Sequence, residues 1–295
     1  MKQRIITGVI LGIVALIAIL FLPTMAFSLL LFLVAMIGLN EWSNLLKLQG
    51  IAKGIYLAIG GITLLVVTIV LIAGAKNAES VNSGSLALFV KDNPIIYPLL
   101  VVMSIFWLCM PFLLSIHSRK PLAILTNREF LFVASILSLS ALIITLAAFQ
   151  QGLVFIFYLI LLIIIADSSA YFVGKAFGKR KLAPSISPGK TIEGAMGGLV
   201  IGVIFSLISI LCFTSGENPI FQVDGSKAIL IVNFVSLSAL VVIVSISGDL
   251  FESVVKRSAG MKDSGNILPG HGGVLDRIDA LTAAAPLFFV GLQFV

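Results

Sequence analysis

The sequence predicts an all-α, polytopic integral membrane protein with about nine transmembrane helices and a cytoplasmic N-terminus. Three observations predict it. Of the 295 residues, 59% are hydrophobic and only 11% are charged, with a mean hydropathy of +1.17; a soluble domain carries about 25% charged residues. Apolar runs of bilayer length recur from one end of the chain to the other. The basic residues between those runs fall almost entirely in alternate loops.

A bilayer core about 30 Å thick takes ~20 apolar residues in a helix. Runs of that kind lie at 5–22, 26–46, 55–74, 95–116, 130–148, 153–174, 194–213, 228–248 and 280–295. The first is long for a secretory leader and lacks a small-x-small cleavage site, so it reads as a retained span. Pro23-Thr24 makes a very short hairpin to the second.

With the N-terminus in the cytoplasm, the inside segments hold Lys2, Arg4, Lys47, Lys53, Arg119, Lys120, Arg128, Lys175, Lys179, Arg180, Lys181, Lys190, Lys256, Arg257, Lys262 and Arg277. Only Lys76, Lys91 and Lys227 fall outside, so sixteen of the nineteen basic residues obey the positive-inside rule. A wrong span count would scramble this partition. The net charge of +6 therefore reports topology, and no nucleic-acid partner is expected. Cys109 and Cys212 lie in apolar runs at different depths, without metal-knuckle spacing, and no disulfide is expected between them.

The outside loops 75–94 and 214–227 are rich in Asn, Ser, Gly and Pro and read as solvated connectors. The inside loops 175–193 and 249–279 combine charge, glycine and proline, and function concentrates in such loops. The chain accordingly divides into an N-terminal transmembrane helical region, 1–150, and a C-terminal transmembrane catalytic region with cytoplasmic-side loops, 151–295.

The densest signal runs from Gly248-Asp249 through Glu252, Ser253, Lys256 and Arg257, then Lys262-Asp263, Pro269-Gly-His271-Gly272-Gly273 and Asp276-Arg277-Ile-Asp279. If 249–257 continues the eighth span inward, Asp249, Glu252, Ser253 and Lys256 share a face, as do Asp276 and Asp279. Two acidic faces beside cations suit a divalent metal bridging phosphates. His271 stands among glycines whose backbone approaches a ligand closely. Simple ion pairing at the membrane surface is the plainer explanation, but it leaves so dense a cluster unexplained.

A second cluster begins at Asp167, a carboxylate after a purely apolar run, where the default reading is functional. It continues to Ser187-Pro-Gly-Lys190-Thr191, ahead of a helix N-terminus that attracts phosphate. The full P-loop spacing is absent. Lys179-Arg180-Lys181 suits either a headgroup-attracting patch or a substrate contact. Asn40 and Glu41 read as polar residues at a helix end.

The run from Ser253 to Asp279 resembles the signature of the phosphatidate cytidylyltransferase (CDP-diacylglycerol synthase) family: Ser253-x2-Lys256-Arg257, Lys262-Asp263, Pro269-x-His271-Gly272-Gly273 and Asp276-Arg277-x-Asp279. Asp167-x2-Ala170-Tyr171-x2-Gly174 and Ser187-Pro188-x-Lys190-Thr191-x-Glu193-Gly194 resemble further family segments in the same order. The resemblance covers most of the C-terminal half; the N-terminal half matches only as a hydrophobic bundle.

It implies transfer of CMP from CTP to phosphatidate, giving CDP-diacylglycerol and pyrophosphate. It also implies Mg²⁺, with a second cation left open, and a homodimer among membrane lipids in the cell's inner membrane. On this reading Asp249, Asp276, Lys256 and Arg277 are the catalytic candidates. Asp249, Asp276, Asp279 and Asp167 are the metal candidates. Ser187, Lys190, Thr191, Ser253, Arg257, Lys262, His271, Gly272 and Gly273 are the substrate-binding candidates.

The rivals are a CTP-dependent lipid kinase or another CDP-lipid synthase, and a transporter. Transporters gather polar groups on interrupted helices near the midplane; here they gather in two loops on one face.

Overall fold

The computed structural model describes the backbone of residues 2–81, 85–215, 220–221 and 226–295, and the side chains of all of these except 2–6 and 77–81. The chain folds into helices α1 (Lys2–Phe21), α2 (Thr24–Leu45), α3 (Gly50–Val81), α4 (Leu86–Asp92), α5 (Ile96–Arg119), α6 (Arg128–Gln150), α7 (Leu153–Phe177), α8 (Ile192–Phe213), α9 (Lys227–Ala259) and α10 (Leu275–Gly291). Among the described residues, α2, α3, α5, α6, α7, α8 and α9 are long and apolar enough to cross a membrane, and α1 adds a shorter apolar stretch, Thr7–Phe21. Seven of the nine predicted apolar runs therefore lie on helices of crossing length; the first falls on α1, and the last is divided between α10, 17 residues long, and a short 3-10 turn at Leu292–Phe294. The side chains of Lys2 and Arg4, and parts of the two loops expected outside, at 82–84, 216–219 and 222–225, lie beyond the described residues.

α6 is the centre of the bundle: 78% of its apolar window is buried, against 39% or less in the other six. α2, α3, α5 and α10 surround it, and α10 also lies along α9. Outward-facing residues such as Ile13, Ile62, Val102, Phe112 and Val200 are apolar and exposed, the pattern lipid tolerates and water does not.

Lipid gives helices little hydrophobic reason to associate, so small residues and buried polar pairs hold them together. A Cβ on Gly198 of α8 would lie 2.7 Å from the Ala166 carbonyl of α7, and one on Gly194 the same distance from the Ala170 carbonyl. Tyr158 (α7), Ser206 (α8) and Ser238 (α9) form a buried hydroxyl chain with links of 2.6 and 2.9 Å. Trp42, Trp107 and Phe251 join α2, α5 and α9 through ring contacts of 6.3 and 5.7 Å.

Three segments differ from the sequence expectation. α3 extends past 74 to Val81, and the 75–94 connector contains α4, whose Ser85 cap accepts the Leu88 N–H and whose Leu86 and Val90 are buried. The 175–193 loop is an antiparallel hairpin of β1 (Lys181–Ala183) and β2 (Ser187–Thr191), paired Lys181 to Thr191 and Ala183 to Ser187. Glu193 fixes its base: one carboxylate oxygen accepts the N–H groups of Lys179 and Arg180, and the other accepts Arg180 Nε at 2.9 Å. Arg180 is thereby committed to structure, a pairing that a tally of loop charges does not reveal.

Candidate active site

α9 runs without a break from its apolar stretch into the charged motif. It reaches Ala259 and ends at Gly260, whose left-handed φ of 73° lets Met261 donate back to the Lys256 carbonyl at 2.8 Å. Asp249 and Ser253 stand one turn apart, with Ser253 Oγ 3.4 Å from Asp249 Oδ1. A Cβ at Gly248 would lie 2.5 Å from the Asp279 carbonyl. Only glycine allows α9 and α10 to meet there, and that contact sets Asp249 beside the first turns of α10.

The loop from 261 to 274 joins the two helices. Leu268-Pro269-Gly270-His271 makes a turn in which His271 N–H donates to the Leu268 carbonyl, with Gly270 at φ 76°; proline then left-handed glycine is the type II pattern. Gly272, at φ 85°, comes so near Asp276 that a Cβ would sit 2.5 Å from Oδ2.

Asp276 is the most heavily bonded acid of the motif. Its Oδ1 accepts Lys256 Nζ at 2.5 Å. Its Oδ2 accepts the Ser264 N–H, the Ser264 hydroxyl and the Gly273 N–H at 2.8–2.9 Å. Asp276 precedes the apolar run of α10. Burial acts to raise its pKa, but the bonds from Lys256, Gly273 and Ser264 outweigh burial and hold the carboxyl below its ordinary value. Behind this pair, Glu252 is 3% exposed, its carboxylate has no hydrogen-bond partner among the described residues, and its Oε1 lies 3.4 Å from Lys256 Nζ.

Two cavities meet at two carboxylates. The first, about 460 Å³, lies between α7, β2, α8 and α9, and Ser187, Lys190 and Thr191 line it. The second, about 510 Å³, lies between α7, α9 and α10, with Lys256, Asp263, Asp276, Arg277 and Asp279 on its walls. Asp167 and Asp249 line both. Lys190 Nζ reaches Asp249 Oδ2 at 2.8 Å, so a residue of the hairpin and one of α9 meet across the first cavity. Thr191 also caps α8, its hydroxyl accepting the Gly194 N–H at 3.1 Å.

The remaining expected site residues stand apart from these cavities. Arg257 and Lys262 are exposed. His271 turns its Nε2 toward Gly8 of α1, its buried Nδ1 has no hydrogen-bond partner among the described residues, and its carbonyl accepts Arg277 Nε and Nη2 at 3.2 and 2.8 Å. Gly272 and Gly273 shape the loop around Asp276.

Glu41 is more than the helix-end residue its sequence position suggests. It is 1% exposed and accepts the N–H groups of Val274 and Leu275 at 2.9 and 2.8 Å. Two signals in the sequence point to it. A carboxylate closing an apolar run deserves the same reading as Asp167, and Val274 is an apolar residue where a helix ordinarily supplies its own polar cap.

Among the described residues, no three His, Cys, Asp or Glu side chains form a ready metal-holding group. The donors lining the second cavity still fit a hard divalent cation. They are carboxylate oxygens: five aspartates line that cavity with Lys256 and Arg277, and one of them, Asp249, also meets Lys190 from the first cavity.

Comparison with known proteins bears on this geometry. The sequence model described as "Cytidylyltransferase family" matches residues 2–295. A phosphatidate cytidylyltransferase of Bacillus subtilis is 32% identical over 292 residues, covering 98% of this chain and 96% of the relative. Those of Haemophilus influenzae and Pseudomonas aeruginosa are 48% identical over 145 residues and 52% identical over 123 residues. These two matches cover 49% and 42% of this chain, and span only 48% and 41% of the relatives' own lengths. With the family model covering all but the first residue and the Bacillus relative aligned nearly end to end, the chain belongs to the cytidylyltransferase family of nucleotidyltransferases.

Proposed function

We propose that the chain is a phosphatidate cytidylyltransferase, transferring CMP from CTP to phosphatidate and releasing pyrophosphate. One observation carries this reading: two cavities of similar size, each with its own basic side chains, share Asp167 and Asp249 on their common wall. A reaction between two anionic substrates calls for that arrangement. The names of the relatives supply the identity of the substrates.

The chemistry suits the residues. A phosphatidate oxygen is largely ionised near neutral pH and attacks the α-phosphorus of CTP; a P–O bond forms on that side as the bond to pyrophosphate breaks opposite. Such transfer is governed by positioning and charge. Lys190 in the first cavity, and Lys256 and Arg277 in the second, hold phosphate oxygens. Asp276 fixes the place of Lys256, and the Gly272-Gly273 backbone keeps the loop against it. Asp167, Asp249 and Asp279, with Asp276 beside them, would hold Mg²⁺, with room in the reading for a second cation. When bound, such an ion neutralises charge on the nucleotide phosphates.

The same reading takes nine spans, a cytoplasmic N-terminus and an active site facing the cytoplasm of the inner membrane, which the sixteen-to-three partition of basic residues supports. CTP then arrives from the cytosol and phosphatidate from the inner leaflet. A homodimer is part of the same reading.

The test is to incubate purified protein with CTP, phosphatidate and Mg²⁺ and identify the products by mass. CDP-diacylglycerol in step with pyrophosphate is expected, and Asp249→Asn should abolish both. Phosphorylated lipid with CDP would instead indicate a kinase. Flux into sealed vesicles without CTP consumption would indicate a transporter.

A further inference from the structure

Glu41 belongs to α2, more than 200 residues before the catalytic motif, yet its carboxylate is inserted into that motif. Oε1 accepts the Val274 N–H at 2.9 Å; Oε2 accepts the Leu275 N–H at 2.8 Å and the Ser264 hydroxyl at 3.2 Å. α10 has no side-chain cap of its own at Val274, so α2 delivers the cap in trans. The fit leaves no slack: a Cβ on Gly265 would lie 2.5 Å from Glu41 Oε1, and one on Gly273 2.6 Å from both oxygens.

We propose that Glu41 is a positioning residue, acting through Ser264 and the α10 N-terminus to set where Asp276 and Lys256 stand. The proposal rests on the cytidylyltransferase reading above. Three points favour placement over mere helix capping. A neutral Ser or Thr at 274 would cap α10 locally, whereas burying a whole carboxylate from another helix costs far more than such a cap gains. The Ser264 hydroxyl lies 2.9 Å from Asp276 Oδ2 as well as 3.2 Å from Glu41, so one proton is shared between two carboxylates and the position of each bears on the other. α2 is tied to α9 by the Trp42–Phe251 contact one residue along, so Glu41 is braced against the same helix that carries Lys256. α2 is then part of the active site as well as a membrane span.

Glu41→Gln tests this. The amide oxygen can satisfy one of the two backbone donors, while the amide nitrogen confronts the other. Leu39→Ala is the control: Leu39 is fully buried on the same helix and packs toward Gly60 of α3, away from the loop. Both variants are assayed in detergent beside wild type, with thermal midpoints measured in parallel.

E41Q is expected to lose about 10- to 100-fold in kcat, with KM for CTP and phosphatidate within about threefold. L39A is expected to lower the thermal midpoint at least as far while keeping kcat. Because both residues act through one contact, E41Q/S264A should fall little below the worse single variant. If E41Q does not accumulate, E41D carries the test. It keeps both oxygens on a shorter stem and should retain more kcat than E41A. An active wild type with E41Q unchanged in kcat, or with L39A losing as much kcat as E41Q for the same thermal loss, would overturn the positioning role alone. A wild type inactive with CTP and phosphatidate would overturn the parent reading, and this proposal with it.

Discussion

Asp276→Asn removes one charge and leaves the side chain's shape. Wild-type Asp276 holds Lys256 with one oxygen and three loop donors with the other. Asparagine has one oxygen, and its best orientation keeps that oxygen on the Ser264 and Gly273 N–H groups. Its amide nitrogen then faces Lys256 Nζ, donor against donor. The lysine and aspartate side chains are only 11% and 7% exposed, so this counts as a buried pair; removing one partner of such a pair costs about 3–5 kcal/mol. At 1.36 kcal/mol per factor of ten, expressing most of that in the transition state lowers turnover by at least about 100-fold. The assay is CDP-lipid formation by purified protein in detergent with Mg²⁺ supplied, alongside insertion and monodispersity of the variant. The double variant K256M/D276N removes the stranded charge and should recover most of the thermal midpoint without recovering turnover. Turnover of D276N within about threefold of wild type would refute the reasoning.

Gly273→Ala places a methyl group against the Ser264 hydroxyl and 2.6 Å from both Glu41 oxygens; it should cost turnover severely, whereas Gly189→Ala, with open space around it, should leave turnover near wild type in the same assay. Chelation of divalent cations should stop product formation, and added Mg²⁺ should restore it, read by continuous pyrophosphate release. The depressed pKa of Asp276 gives stability that is fully present above the ordinary carboxylate value of about 4 and lost as pH falls through the lower folded value. The thermal midpoint of wild type should therefore lose this contribution only below about pH 4, and the corresponding loss should be absent in D276N.

The long apolar helices were legible because lipid enforces a simple rule: about 20 apolar residues per crossing. The continuation of α9 past Asp249 was legible too, from the helical spacing of Asp249, Glu252, Ser253 and Lys256. The hairpin at 181–191 was not. Its strands are short, one contains Pro188 and Gly189, and what closes it is Glu193 reaching back to Lys179 and Arg180. α4 was hidden by its length, seven residues with two buried apolar side chains.

Within the site, the sequence names the charged residues but not their pairings. Lys190 meets Asp249 and Lys256 meets Asp276 only because Gly194 and Gly198 let α7 and α8 close up and Gly248 lets α9 touch α10. The sequence marks Glu41 as a carboxylate closing an apolar run, but its partner 233 residues away is set by the packing of α2 against the loop before α10.

Two parallel incubations with CTP labelled at the α- or the γ-phosphate follow the bond that breaks. Label from the α position should appear in the lipid product, and label from the γ position in pyrophosphate. Label from the γ position in the lipid, with the α label retained in CDP, would contradict nucleotidyl transfer at this site.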